Sequence, residues 1–213
     1  NKLNCEICLK YHNNTTFDEL ISCTKCKCIS HLKCNEKLKI NNSTTKDIYL
    51  CERCSLALNL NEPINSFKCF ICNNSDGVLD YNIENKVFYH KICLNFINEF
   101  QDVPETEIKK NKLRRWRYKN SCRYCGKTLN KNEAVLKCKN PKCKEYFHIP
   151  CAIEKGLIFD LDFMKNFYNV DFYSQIPFFC SNHNKKISGE YKNYIVKRFS
   201  QKSINRKNKS KEK

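Results

Sequence analysis

Cys23-Thr24-Lys25-Cys26-Lys27-Cys28-Ile29-Ser30-His31-Leu32-Lys33-Cys34 decides how the chain must be read. Its skeleton is Cys-x-x-Cys, four residues, then His-x-x-Cys. Cys5-x-x-Cys8 lies upstream and Cys51-x-x-Cys54 downstream, so the first sixty residues carry eight potential ligands in the order four Cys, one His, three Cys. The core recurs as Cys138-x4-Cys143-x4-His148-x-x-Cys151, flanked by Cys122-x-x-Cys125 and Cys180-x-x-His183. Between them stands a four-ligand set, Cys69-x-x-Cys72 and His90-x-x-Cys93. The chain holds 17 Cys and 5 His; setting aside Cys28 and His12 leaves enough for five four-coordinate sites. Closed tetrahedral Cys/His sites are the signature of structural Zn²⁺. A disulfide framework would need an oxidising compartment. No secretory leader or apolar span of membrane length is visible, so paired thiols are assigned to metal and no membrane partner is expected.

Composition says where the folding energy must come from. Of 213 residues 41% are apolar, and 17 of those are the cysteines. Modules this small bury too little apolar surface to be stable alone. Structural zinc is worth roughly 10–16 kcal/mol per site in small peptides. The formal charge is +17, and five dications on sixteen thiolates lower it to about +11. It is unevenly placed: +3 over residues 1–60, −3 over 61–110, +10 over 111–155, −2 over 156–184 and +9 over 185–213. Solvated lysines of an AT-rich coding sequence explain part of this. Four of the seven arginines, Arg114, Arg115, Arg117 and Arg123, fall within ten positions, however, which is an electrostatic footprint for a polyanion. Leu20–Ser22 and Ile29–His31 look like short strands, as does Val87–Tyr89. Ile92, Leu94, Phe96, Ile97 and Phe100 suggest a short apolar helix docked on the last module. Ala152–Lys155 suggest a helix that Gly156 ends in the left-handed region, with a core of Phe147, Ile153, Leu157, Ile158, Phe178 and Phe179. Ile187, Tyr191, Ile195 and Phe199 recur at helical spacing among basic residues, before a Lys/Ser/Asn-rich end expected to be disordered.

The ligand order of residues 1–60 resembles the PHD finger. A RING finger puts His fourth; here it is fifth. The middle set, residues 61–110, is similar to a zinc knuckle; a LIM domain would need a cysteine where Phe96 stands. Residues 111–184, closed by His183, resemble an extended PHD finger, with residues 185–213 as a basic helix and tail. The whole resembles the PHD–knuckle–extended-PHD cassette of bromodomain-PHD scaffold, Jade-type, AF-type and trithorax-like chromatin proteins. That resemblance implies a small zinc-stabilised α+β fold of cross-brace fingers with short two-stranded sheets, short helices and little other regular structure. It implies the sets Cys5/Cys8/His31/Cys34, Cys23/Cys26/Cys51/Cys54, Cys69/Cys72/His90/Cys93, Cys122/Cys125/His148/Cys151 and Cys138/Cys143/Cys180/His183. Cys28 is left as a buried small hydrophobe, and Tyr49 and Trp116 are assigned to packing, Trp116 in preference to base stacking.

The resemblance also implies a nuclear, non-enzymatic reader acting in transcription regulation. Its first finger would add an H3 amino-terminal tail as a strand beside Leu20, Ile21 and Ser22. Methyl-lysine readers of the family place a Trp where Ile29 stands, whereas Asp18 and Glu19 suit the free ammonium of an unmodified fourth-position lysine. The extended finger would bind nucleosomal DNA without sequence preference through Arg114, Arg115, Arg117, Lys119, Arg123, Lys137, Lys139, Lys142 and Lys144. Other subunits of a chromatin complex are expected partners, and no small-molecule substrate is. Two alternatives stand beside this: a structural or protein-interaction module that reads no histone, and a reader piece of a chromatin-modifying enzyme whose catalytic domain lies elsewhere.

Overall fold

The computed structural model describes residues 4–10, 20–35, 49–100, 103–126 and 133–194. Three antiparallel hairpins organise it: β1 (Leu20–Ser22) with β2 (Ile29–His31), β3 (Asp80–Asn82) with β4 (Val87–Tyr89), and β5 (Val135–Lys137) with β6 (Tyr146–His148). Each second strand delivers a histidine: His31 and His148 end β2 and β6, and His90 follows β4 directly. A helical turn after each histidine then returns the next cysteine, at Leu32–Cys34, in α2 (Lys91–Asn95) and in α3 (Ile149–Glu154). The spacing His-x-x-Cys is thus one turn of helix.

Two helices go beyond the elements expected from the sequence. α1 (Glu52–Leu60) leaves from the last ligand pair of the first finger and stops at Asn61, whose φ of 53° is left-handed. α4 (Leu161–Tyr168) starts on Asp160, whose carboxylate accepts the Phe163 N–H at 3.0 Å, and ends at left-handed Asn169. The expected apolar helix after His90 is shorter than its apolar pattern: α2 stops at Asn95, and a 3₁₀ turn over Asn98–Phe100 carries the pattern on. Residues 185–194 are helical and form α5. Gly156 takes the expected left-handed conformation, φ 64°. Among the described residues no helix is long and apolar enough to cross a membrane.

One apolar core runs from Cys69 to Ile187 and joins the knuckle to the last finger. Phe96 lies edge-on to Phe178 with ring centroids 4.3 Å apart. Phe147, Leu157, Ile158 and Phe178 are buried in it, while Ile153 and Phe179 only pack against its edge. A second, smaller core gathers the cysteines of the first finger around Ile7 and takes in Val78 from the knuckle. Backbone bonds tie the pieces together: Leu161 N–H donates to the Cys8 carbonyl at 3.0 Å, and Ala134 N–H to the Ile71 carbonyl at 2.7 Å. The architecture is a small α+β fold in which metal clusters take the place of a large apolar interior.

Candidate metal centres and binding surfaces

The metal sites are built from one repeated turn. After Cys5, Cys23, Cys69 and Cys122 the chain doubles back so that the N–H four residues on bonds the cysteine carbonyl, at 2.8, 3.0, 2.7 and 3.0 Å. The residue making that bond has positive φ each time: Leu9 at 59°, Lys27 at 61°, Asn73 at 55° and Gly126 at 63°. Only Gly126 and Asn73 are residues that favour this region. The ligand pair dictates the turn even where the side chain resists it.

The hairpins are docked on these turns identically. The amide after the first cysteine bonds the carbonyl two residues before the histidine: Glu6 to Ile29, Phe70 to Phe88, Arg123 to Tyr146, all at 2.9 Å. The two fingers also share N–H···S bonds, from His31 to Cys5 Sγ (3.3 Å), Cys51 to Cys23 (3.4 Å), His148 to Cys122 (3.4 Å) and Cys180 to Cys138 (3.4 Å). Such donors favour thiolate over thiol. Burial pushes the Cys122 thiol up, yet the amides of Cys125, His148 and Tyr124 hold it below the usual thiol range.

Five ligand tetrads result, with the memberships expected from the sequence and ligand atoms within 4.8 Å of one another. Each of the four tetrad histidines aims Nδ1 at the sulfurs, at 3.4 Å from Cys8, Cys72 and Cys125 and 3.2 Å from Cys180. Between sulfurs, Cys143 and Cys180 lie 3.8 Å apart. A tetrahedral zinc, with ligand bonds of about 2.3 Å to S and 2.0–2.1 Å to N, requires edges of about 3.8 Å between sulfurs and 3.6 Å from S to N. The residues fit zinc. Outer partners orient the rings: His90 Nε2 lies 2.7 Å from the Asp76 carbonyl and His148 Nε2 3.5 Å from Glu133 Oε2. Neither Asp76 nor Glu133 carries a sequence signal. Cys28 joins no tetrad and is 4% exposed, a buried hydrophobe whose carbonyl closes the Cys23 turn. The sites differ in shielding: all four ligands of the knuckle are buried, whereas Cys125 and His183 in the last finger are exposed.

The strand edges separate the hairpins. In β2, His31 N–H and the Ile29 carbonyl point to the Cys5 turn, so Ser30 is the residue that faces β1. Pairing alternates along an antiparallel ladder. Leu20 and Ser22, registered opposite His31 and Ile29, therefore turn N–H and C=O outward, and among the described residues nothing meets them. Asp18 and Glu19 lie outside the described residues, as does His12. The other outer edges are partly occupied. Tyr81 N–H on β3 donates to Glu52 Oε2 at 2.8 Å. On β5 the Val135 carbonyl accepts from Arg117 Nη1 at 3.0 Å.

Arg117 corrects the expected set of phosphate contacts. It is 4% exposed, and its guanidinium grips Glu99 in a fork, Nε to Oε1 at 2.8 Å and Nη2 to Oε2 at 2.6 Å. A charge so engaged is structural. Burial raises the Glu99 carboxyl, but Arg117 outweighs it and holds the group below the ordinary carboxylate range. Arg123 is exposed but paired to Glu145. Arg114, Arg115, Lys119, Lys137, Lys139, Lys142 and Lys144 are exposed and have no ion pair among the described residues. Trp116 is half-buried rather than a core residue, with its ring 6.0 Å from Tyr146 and the Arg117 guanidinium 4.5 Å from its centroid. Tyr49 packs on the small core and its hydroxyl accepts from Asn35 at 2.8 Å.

Residues 67–183 match the family model described as PHD-zinc-finger like domain. The chain belongs to that family. It is 26% identical over 159 residues to mouse E3 ubiquitin-protein ligase Jade-2, covering 72% of this chain and 17% of that protein. PHD finger protein 14 of mouse is 23% identical over 212 residues, 90% of this chain and 20% of its own. Mouse lysine-specific demethylase 4B is 27% identical over 150 residues, 67% of this chain and 13% of its own. The chain thus spans a fifth or less of these relatives' length. The crystal structure of zebrafish PHF14-PZP has the same fold, with TM-score 0.54 and 21% identity, covering 86% of this chain and 89% of that one. Family and tetrads together give five zinc sites per chain.

Proposed function

We propose that this is a chromatin reader module: the first finger takes the H3 amino-terminal tail as a strand along β1, and the last finger holds DNA without reading its sequence. The open outer edge of β1 carries the first half. Extended peptides bind where backbone N–H and C=O groups stand unpaired, with pockets adding selectivity, and Leu20 and Ser22 present such groups. Ile29 in place of an aromatic wall favours an unmodified fourth-position lysine, and Asp18 and Glu19 are the carboxylates proposed to hold it. Seven exposed basic side chains with no ion pair among the described residues support the second half. The role is recognition rather than catalysis, because each tetrad fills its zinc and leaves no position for an activated water. Relatives named for ubiquitin ligation and demethylation share only this segment with the chain, so any such chemistry belongs to other parts of those proteins. A nuclear location and partnership with other chromatin-complex subunits follow from the same reading.

Calorimetric titration with an H3 tail peptide tests the first half. The unmodified peptide is expected to bind and its lysine-4-trimethylated form to bind at least several-fold more weakly; equal affinities would remove the carboxylates' role, and no binding by either would remove the histone reading. For the second half, DNA affinity should fall steeply between 50 and 200 mM salt, as counterion release requires. A flat response would rule out phosphate contacts.

A further inference from the structure

A cleft of about 290 Å³ opens at the end of β5, in the middle of the basic segment. Buried Phe96 and Phe178, half-buried Trp116 and exposed Lys137 and Lys139 line it. Two side-chain amides border it: Asn98 carries a donor and an acceptor, and Asn140, whose Oδ1 already accepts the Lys142 N–H at 3.0 Å, adds its donor group. Strand register adds a third polar element. Cys138 N–H bonds Glu145 O at 2.9 Å and Arg123 N–H bonds Tyr146 O, so Lys137, opposite Tyr146, turns its own N–H and C=O to the outer edge. Arg117 takes the Val135 carbonyl on that edge and stops there, leaving the Lys137 groups beside the cleft.

This combination is more than phosphate binding needs. Phosphate oxygens take donors alone, from lysines, amides and backbone N–H groups alike, and offer no flat face, so the indole and the outward acceptors are left over. A half-exposed indole, side-chain amides and an outward peptide group beside lysines match a flat heterocycle with a hydrogen-bonding edge. Deepening the DNA reading above, and resting on it, we propose that this cleft receives an unpaired nucleobase, so that the basic face holds single-stranded DNA more tightly than uniform duplex. Trp116 supplies the aromatic contact, Asn98 and Asn140 meet the base edge, and Lys137 and Lys139 take the flanking phosphates. Sequence preference is expected to be weak, because stacking accepts every base.

The molecule carries its own reporter, since Trp116 is the only tryptophan in the chain. The experiment titrates the zinc-loaded chain at low salt with three probes: a single-stranded 12-mer DNA, an abasic 12-mer with the same phosphates, and the 12-mer in duplex form. Tryptophan emission and fluorescence anisotropy are read together. The base-bearing single strand is expected to quench Trp116 and to bind about fivefold or more tightly than the abasic strand. Asn98→Ala, an exposed substitution, should narrow that difference without touching abasic binding; Trp116→Phe, checked for zinc content, should narrow it further. If the abasic strand or the duplex quenches and binds equally well, the base site is wrong and the electrostatic reading stands. If none of the probes binds, both fall.

Discussion

The first and last hairpins are built alike and finished differently. β1–β2 and β5–β6 share their register relative to the histidine, the N–H···S bonds, the docking amide and the left-handed turn. Yet Leu20 and Ser22 face outward with no partner among the described residues, while the Val135 carbonyl is capped by a guanidinium anchored to Glu99. One scaffold thus leaves the outer strand edge open at one end and blocks it at Val135, though not at Lys137, at the other. Capping exposed edges is how sheets avoid unwanted pairing. The histidine-to-zinc geometry fixes the fold; one arginine in the preceding linker closes part of its edge.

Zinc removal should produce the largest effect and sharpen the contrast. Stepwise thiol titration followed by native mass spectrometry is expected to release the last-finger zincs, with exposed Cys125 and His183, before the fully buried knuckle zinc, and full chelation should abolish the circular-dichroism signal of all modules. Release of the knuckle zinc first would mean that side-chain shielding does not govern lability. Next in size, Arg117→Ala strands Glu99 and uncaps Val135, so urea denaturation should show a loss of about 3–5 kcal/mol. Exposed Arg115→Ala should lie within about 0.5 kcal/mol of wild type. If instead Arg117→Ala keeps full stability and weakens DNA binding, the corrected assignment is itself wrong. Third, Ser22→Pro deletes one outward donor and should weaken H3 peptide binding by up to about tenfold, the worth of one hydrogen bond, with zinc content unchanged. Unaltered affinity would move the peptide off this edge. The smallest effect is on pH dependence. Glu99 ionises more readily folded than unfolded, so its contribution is complete above the unfolded carboxylate value of about 4.3 and is lost as pH falls through its lower folded value. The stability gap between wild type and Glu99→Gln should therefore be constant near neutrality and close only below about pH 4; a gap that closes near pH 6 would point to a histidine instead.

Much of the fold can be read from the chain because ligand spacing is a covalent constraint. The five tetrads, the strands at Leu20, Ile29 and Val87, and the stop at Gly156 all sit within a few residues of a cysteine or histidine that dictates them. The rest lies where tertiary contacts decide. Arg117 looks like its neighbours Arg114 and Arg115 until Glu99, eighteen residues away, is brought beneath it. α1 buries only Arg53, Cys54 and Ala57, too thin an apolar stripe to show as periodicity. α4 does carry a signal, Asp160 before Leu161 and Met164, outweighed by aromatic residues throughout the segment. Family resemblance puts Trp116 inside, and only the packing around Tyr146 leaves part of it in view.

The continuous core from Cys69 to Ile187 bears on how such chains are inherited. A break near residue 110 would tear Phe96 from Phe178 and leave two wet, sticky faces, whereas a join near residues 61–66, ahead of Phe67, parts polar links and edge contacts among the described residues: Tyr81–Glu52, Leu161–Cys8, Lys91–Cys34 and Lys10–Asp162, with Val78 on one side and Leu9 and Leu56 on the other. Recombination that shuffles knuckle and last finger as one cargo, with the first finger exchangeable, is what this packing tolerates, and the family match begins at Phe67.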